Sequence, residues 1–450
     1  MGRVILFSPV GGTDPISNTN CQDGALLHIC RVYKPDVIYM YMSKYVLDCE
    51  AEDHRYTYCL GKLYDVLGKE LDYSIIDRPA LNEVQDFDFF YDDYKTEINR
   101  IMLSLNEDDE LLLNTSSGTP AMKSALVVLA TLGDINGKLI QVTTPEKAIN
   151  KHDHDNYDVK TLWELNPDND DGFVNRCKPI ECPSIVRLKN EEMIKKLILS
   201  YDYSAALSVA EMINDEYTKS YIHLLKYACL RMQLSFRDLT IIEKEHGMDS
   251  LLPVQTSKYR NAVEYALVLF TKPQRGDYAD FARALTPLIL ELFLLIVEKY
   301  TGINAREEYC SKDEFSGGYR WNTEKLRQNK TTSEWIEIWS EAYKQEFKSG
   351  GYLQSVHLLF VIRKKCPQAV ISKADLLRVV EENFRNSAAH EIGTVTADTV
   401  KKMTGYSCDK IIDTVKTLFN YSGVVVTDEM WVSYDTMNSL IFDHMNSTVE

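Results

Sequence analysis

Arg3-Val4-Ile5-Leu6-Phe7-Ser8-Pro9-Val10 is a continuous apolar run that stops at Gly11-Gly12-Thr13-Asp14-Pro15. A short unbroken run of this kind, closed by a Gly- and Asx-rich loop, predicts a strand buried on both faces. A helix over Leu26–Tyr33 follows, and the alternation continues. Strands are predicted at 36–42, 72–77, 110–114 and 138–143, with helices at 44–71 and 91–105 and from Pro120 onward. Short apolar strands alternating with helices specify a Rossmann-like parallel sheet covered on both faces. Ligands of such sheets bind beyond the carboxyl ends of the strands.

Two loops stand there. Gly11 and Gly12 let the backbone approach a ligand closely, and Thr13 and Asp14 can hydrogen-bond a base or ribose. The second loop is Asn114-Thr115-Ser116-Ser117-Gly118-Thr119, followed by Pro120-Ala121-Met122-Lys123. Thr119 suits an N-cap and Pro120 the first helical position. The helix start then offers amides and partial positive charge to a phosphate. Neither loop matches GxGxxG or GxxxxGK[ST], which speaks against dinucleotide binding and nucleotide triphosphate hydrolysis.

Residues 146–181 are polar and acid-rich and are expected to form a surface insertion or hairpin closing the first domain. From about Ser184 the pattern turns helical, with helices at 189–200, 203–213, 216–232, 235–245, 257–269, 287–300, 333–348, 351–364, 373–389, 409–420 and 435–445. A Val-rich strand is expected at 424–426 and a solvated loop over 311–321. The fold class is therefore α/β plus all-α, with 1–180 as a Rossmann-like domain, 181–275 as a helical connector and 276–450 as a second helical domain.

The net charge of −17 argues against a protein that coats nucleic acid through a broad basic face, so stable DNA binding is not expected. Ten cysteines without a CxxC pair, and Met1-Gly2-Arg3-Val4 leading straight into a strand, fit reduced thiols, no signal peptide and a cytoplasmic location. The longest apolar run, Leu288 to Val297, falls short of the roughly 20 residues a membrane span needs. His152-Asp153-His154-Asp155 is read as a solvated loop, so no metal and no cofactor are expected.

The last informative stretch is Arg385-Asn386-Ser387-Ala388-Ala389-His390. Ser372 with Asp375 predicts a capped helix start, and Leu376, Leu377, Val380, Phe384 and Ala388 form its core stripe. With Phe384 at zero, Arg385 stands about 100° round, Asn386 about 200° and His390 about 240°. Arg385 and His390 are thus about 140° apart on a straight helix and do not converge on one phosphate. A break near Ala389, or two helices meeting across a dimer axis, removes the difficulty. A His of near-neutral pKa with an Arg can cleave RNA without a metal: the 2′-OH attacks its phosphate while Arg stabilises the equatorial oxygens. The plainer reading of Arg385 is an ion pair with Glu381 at i−4.

Gly12-Thr13-Asp14-Pro15, Asp23-Gly24-Ala25-Leu26-Leu27-His28-Ile29, Lys34-Pro35-Asp36, Met42-Ser43-Lys44 and Asn114-Thr115-Ser116-Ser117-Gly118-Thr119 together resemble a CARF domain. The whole chain resembles the standalone type III-A CRISPR-associated ribonucleases of the Csm group, which join CARF, a six-helix connector and HEPN. The resemblance implies a cyclic oligoadenylate sensor bound through Gly11, Gly12, Thr13, Asp14, Asn114, Thr115, Ser116, Ser117, Gly118, Thr119 and Met122. It favours the cyclic hexa-adenylate as activator, with the tetra-adenylate second, and slow cleavage of that ligand promoted by Thr115 and Ser116. It further implies a homodimer whose paired Arg385, Asn386 and His390 cut single-stranded RNA to 2′,3′-cyclic phosphate and 5′-OH ends in antiviral defence. The competing readings are a non-catalytic nucleotide-sensing regulator that dimerises through its helical half, and a transferase or hydrolase acting in the α/β domain.

Overall fold

The computed structural model describes residues 2–133, 135–144, 157–213, 215–347, 350–388 and 394–447, with backbone only at 385–388. The chain divides into two compact units, Met1–Lys189 and Asn190–Glu450.

The first unit runs β1 (Val4–Pro9), α1 (Ala25–Tyr33), β2 (Val37–Ser43), α2 (Lys44–Asp53), α3 (Arg55–Leu67), β3 (Tyr73–Arg78), α4 (Phe87–Met102), β4 (Glu110–Asn114), α5 (Pro120–Leu132), β5 (Lys138–Val142), α6 (Val159–Glu164) and β6 (Cys177–Pro179). Among the described residues these strands form one sheet in the order β3-β2-β1-β4-β5-β6. β1 to β5 are parallel and β6 joins antiparallel to β5. The apolar run of β1 serves two cores because successive side chains face opposite ways. Leu6 packs with Leu26, Ile38, Leu60 and Leu112 on one face. Ile5 and Phe7 pack with Tyr94, Leu113 and Leu126 on the other.

The second unit is helical. α7 (Pro183–Leu199) crosses the boundary between units and is followed by α8 (Tyr203–Ile213), α9 (Glu216–Met232), α10 (Phe236–His246), α11 (Ser257–Gln274) and α12 (Tyr278–Thr301). Then come α13 (Ala305–Tyr309), the hairpin β7 (Cys310–Lys312) and β8 (Tyr319–Trp321), α14 (Thr323–Gln328), α15 (Lys330–Tyr343), α16 (Ser355–Lys365) and α17 (Gln368–Ala388). α18 (Ala397–Thr404), α19 (Cys408–Tyr421), α20 (Asp428–Trp431) and α21 (Ser433–Ser447) close the chain. One apolar core extends from Ile194 to Met445. Arg231 of α9 is fully buried within it. Its guanidinium meets both Glu264 oxygens, at 2.9 and 3.1 Å, and the Ser433 hydroxyl at 2.7 Å. It also lies over the Tyr434 ring at 4.2 Å. That pairing ties α21 to α9 and α11.

Several elements differ from the sequence expectation. The helix expected over 44–71 breaks at His54, whose φ of 55° ends α2 and starts α3. The helix expected from 91 begins at Phe87, where Asp86 accepts from the Phe89 amide at 3.1 Å. The helix expected from Pro287 begins at Tyr278 and carries Pro287 inside it, because Phe281 and Leu285 extend the same buried stripe. α17 starts at Gln368 rather than at a Ser372 cap; the Ser372 hydroxyl donates to the Ala369 carbonyl instead, at 3.1 Å. The loop over 311–321 is partly the β7–β8 hairpin, pinned by the core side chain Trp321. Its Arg320 pairs with Asp313 and lies 3.9 Å from the Tyr352 ring centre. No strand forms at 424–426. Val424 and Val426 plug the helical core and Val425 faces out, since no strand edge among the described residues is there to pair with. The segment 146–181 does close the first unit, through α6 and β6 in its described part.

Candidate functional site

The strand order places β1 and β4 side by side in the middle of the sheet, with their crossovers leaving in opposite directions. This is the switch point at which doubly wound sheets bind ligands. Phe7 is in register with Leu113, so the loops after Pro9 and Asn114 leave the sheet together. They touch through glycine: a Cβ on Gly11 would stand 2.7 Å from the Gly118 amide nitrogen. Gly118 has φ of 86°, in the region that favours glycine.

Asn114 is the organiser. Fully buried, it donates from Nδ2 to the hydroxyls of Ser8 and Ser117 at 2.8 and 2.9 Å. Its Oδ1 accepts from the Ser116 amide at 2.9 Å. Thr115 donates to the Ile140 carbonyl at 3.0 Å, and the Ser116 hydroxyl accepts from the Val142 amide at 2.7 Å. Thr119 is a true N-cap: its hydroxyl accepts from the Met122 amide at 3.4 Å and donates to the Val84 carbonyl at 2.6 Å. Asp14 is buried, accepting from the amides of Gly11 and Leu26 at 3.0 Å each. Burial pushes its carboxyl up, against those two amides and Ser117. The ammonium of Lys123, one residue beyond Met122, is pushed down by burial while Asp14 opposes the shift.

The sequence-derived residues therefore fall into two groups. Asp14, Asn114, Thr115, Ser117 and Met122 are buried and shape the loops from within. Gly11, Gly12, Thr13, Ser116, Gly118 and Thr119 keep accessible surface and form the outward-facing rim. Ser8 and Lys123 belong to the same place. Ser8 sits at a strand's carboxyl end, the one signal that could have singled it out.

A second polar cluster was not foreseen. His28 on α1 is fully buried between Asp23 and Asp168, its Nδ1 lying 3.8 and 3.9 Å from their oxygens. The donor set could suit a cation. Arg176 already fills the place: its Nη2 lies 3.0 Å from both His28 Nδ1 and Asp168 Oδ2. The Arg176 amide donates to His28 Nε2 at 2.9 Å. Asp23 and Asp168 are 145 residues apart, and only the folded chain brings them together. The cluster clamps the 157–179 segment to the start of α1. His152, Asp153, His154 and Asp155 lie outside the described residues.

Burial and the neighbouring Arg176 push His28 down to about 4. An unfolded imidazole titrates near 6.5. Above that pH both states are neutral and the full stability is present. As pH falls from 6.5 towards 4, the unfolded chain gains a proton that the fold refuses, and stability is lost, on the order of 2–3 kcal/mol. Thermal melts of the wild-type chain and of His28→Gln at successive pH values should show the steeper acid loss in the wild type. Parallel curves would disprove the assignment.

In the second unit α17 buries Val370, Ala374, Leu377, Val380 and Phe384. Leu376, counted in the stripe from the sequence, is only partly buried. The backbone of Arg385 and Asn386 lies in the last turn of α17. Their side chains, that of Ala388, and the whole of His390 are outside the described residues. On α16, His357 is a buried acceptor: Trp321 Nε1 donates to its Nδ1 at 3.1 Å. Burial and the charge of Arg378 push it down to about 4, so it is a neutral structural group.

Three family models match along the chain. The Cas_Csm6 CARF domain matches residues 72–177, the CRISPR-associated protein Csm6 6H domain 180–232, and the Cas_Csm6 HEPN domain 251–442. The chain is similar to the CRISPR system endoribonuclease Csm6 of Mycobacterium tuberculosis, with 29% identity over 97% of this chain and 98% of that one. It is also similar to the protein of the same name from Enterococcus italicus, with 28% identity over 61% of this chain and 62% of that one. A solved structure, Enterococcus italicus Csm6 bound to cyclic hexa-2′-fluoro-hexa-dAMP, superposes with a TM-score of 0.67 at 19% identity, covering 98% of this chain and 100% of that one. That likeness establishes a shared fold.

Proposed function

The chain belongs to the Csm6 family of CARF–HEPN proteins, and from that premise we propose that it is an endoribonuclease switched on by a cyclic oligoadenylate. The observation that carries the sensor half is the contact of two glycine-bearing loops, at Gly11 and Gly118, over the switch point of the sheet. A flat, phosphate-rich ring needs such a floor, in which backbone amides and small hydroxyls are exposed and bulky side chains are absent. Thr13, Ser116 and Thr119 supply the hydroxyls. Asp14, Asn114 and Ser117 hold the loops in shape; of the two hydroxyls assigned to slow cleavage of the ligand, Ser116 keeps accessible surface, whereas Thr115 is buried with its hydroxyl on the Ile140 carbonyl and would act only through the loop's shape. The Enterococcus italicus relative was solved with a six-membered ring analogue, which favours the cyclic hexa-adenylate here over the tetra-adenylate.

The cutting half is residues 276–450, joined to the 1–180 sensor by the 181–275 connector. His390 serves as acid or base to the attacking 2′-OH and the leaving 5′-oxygen, Arg385 stabilises the phosphorane oxygens, and Asn386 orients the pair. Two copies from a homodimer face one another across a shared cleft, which overcomes the divergence of Arg385 and His390 around one helix. Single-stranded RNA fits such a cleft, and the products carry 2′,3′-cyclic phosphate and 5′-OH ends. No step in this chemistry calls for a metal.

The test is cleavage of a fluorescent RNA with cyclic tri-, tetra- or hexa-adenylate, in excess EDTA. Strong activation by the hexa-adenylate, unaffected by EDTA, is the expected result. Absence of activation by any ring would overturn the sensor reading, and a requirement for added metal would overturn the mechanism. Among the described residues, no helix is long and apolar enough to cross a membrane.

A further inference from the structure

Phe315, in the turn between β7 and β8, is fully exposed. An aromatic ring left in water forgoes the burial that usually holds such a residue. The chain nonetheless fixes the turn that carries it. Asp313 Oδ1 accepts from the amides of Phe315 and Ser316 at 3.0 and 3.2 Å. The Gly317 amide donates to the Asp313 carbonyl at 2.9 Å, and the Asp313 amide to the Gly318 carbonyl at 2.7 Å. Gly317 has φ of 68°, which lets the chain reverse. Arg320, on β8, pairs with the Asp313 carboxylate and lies 3.9 Å from the Tyr352 ring centre. Gly318 closes on the same ring, where a Cβ would stand 3.3 Å from two of its carbons. Phe315 is thus carried on an ordered turn, and two further planar groups, Arg320 and Tyr352, are partly exposed against the same hairpin.

The register of the hairpin says where this turn stands. Cys310 and Trp321 pair at its buried end, and Lys312 and Tyr319 at the end that carries Phe315. The segment from Gly350 to Leu353 runs along β8 towards that turn. The Trp321 amide donates to the Gly351 carbonyl at 2.9 Å, and the Leu353 amide to the Tyr319 carbonyl at 2.7 Å. Two residues after Leu353 comes Ser355, the first residue of α16, whose hydroxyl donates to the buried Glu381 at 2.6 Å. Glu381 lies on α17 one turn, about 6 Å, before the backbone of Arg385. The Phe315 end of the hairpin, and not its buried end, therefore borders the part of α16 that meets the last turns of α17.

We propose that the β7–β8 turn is an RNA-binding element in which Phe315 stacks on an unpaired base of the strand being cut. The inference rests on the ribonuclease reading above. Unpaired bases are recognised by stacking on aromatic rings and guanidinium planes, because every base has a flat face. The charges beside the ring are Lys312 and Glu314, of opposite sign and both exposed, so the turn is no phosphate clamp and the ring itself is what it offers. A protein partner would need a broad apolar patch. Here one ring stands between the exposed polar residues Glu314 and Ser316, an area suited to a single base. The turn is held before RNA arrives, so little ordering entropy is lost on binding.

The test is Phe315→Ala, an exposed substitution that removes no core contact. Cleavage of a fluorescent single-stranded RNA is measured with cyclic tri-, tetra- and hexa-adenylate, together with melting temperature and mass by light scattering. The expected result is a KM for RNA raised about tenfold, the range of one lost base stack, with kcat, half-maximal activator concentration, melting temperature and mass near those of the wild type. Phe315→Trp should keep the wild-type KM. Phe315→Leu, apolar but not planar, should behave as Phe315→Ala. A KM within twofold of wild type in Phe315→Ala overturns the proposal, and so does a Phe315→Leu chain that matches the wild type. A lower mass for Phe315→Ala would assign the ring to a second copy of the chain and overturn it equally. If the wild-type chain cuts RNA with none of the three rings, the ribonuclease reading fails and this inference falls with it. If it cuts and Phe315→Ala cuts with the same KM, only the role of the hairpin fails.

Discussion

Replacing Arg385 or His390 by alanine should lower activated RNA cleavage by about 10²–10⁴-fold, the range lost with a transition-state charge partner or a general acid–base group. Binding of the cyclic oligoadenylate should be untouched, because its proposed floor lies in the first unit, at Gly11 and Gly118. The geometry of the helix adds a sharper consequence. Arg385 and His390 are about 140° apart on a straight helix, so one copy of the motif is a poor active site. If the cleft is shared by two subunits, an excess of inactive His390→Ala chain mixed with wild type should depress activity below that of the wild-type chain alone. The measurement is the initial rate of RNA cleavage against the mixing ratio. Cleavage that persists in both single variants would sink the mechanism, and a rate simply proportional to the wild-type fraction would sink the shared cleft.

Gly118→Val should raise the half-maximal activator concentration by more than about a hundredfold. Two causes act at one position. The residue has φ of 86°, a conformation that costs a β-branched side chain about 1–3 kcal/mol. A Cβ there would also stand 2.7 Å from Met122 Sδ and 3.2 Å from Pro9 Cβ, inside the buried base of the loop. Relief requires Met122, Pro9 or the loop backbone to shift, which disturbs the floor on which a ligand would lie. Since each 1.4 kcal/mol is tenfold in affinity, the two effects together exceed a hundredfold. Direct titration with a labelled cyclic oligoadenylate is the check, and affinity within threefold of wild type would remove Gly118 from the site.

The helical half shows where sequence periodicity succeeds and where it misleads. α8 and α9 begin and end where the pattern of apolar residues puts them. The Val-rich stretch at 424–426 alternates as a strand would, yet alternation reports only which side chains are buried. The backbone state depends on whether a neighbouring edge can take its hydrogen bonds, and among the described residues no such edge is available there. The start of α17 fails for a related reason: Ser372 has the right chemistry for a cap, but Pro367 sits one residue ahead of Gln368 and opens the helix a turn sooner. Local signals compete, and the winner is decided by what the neighbouring helices leave to be covered.

What the amino-acid sequence determined by itself is a set of local features. The parallel α/β alternation, the glycines of both loops, the Thr119–Pro120 helix start and the Arg385-to-His390 spacing are all legible because their causes lie within a few residues. Tertiary structure alone decided which groups meet. It set Gly11 against Gly118, turned Asn114 and Ser117 inward, closed Arg176 over His28 and Asp168, and buried Glu381 against Ser355. Those contacts join residues separated by up to 148 positions. They depend on strand order and helix packing, whose energies come from burying surface across the whole unit and leave no local trace in the sequence.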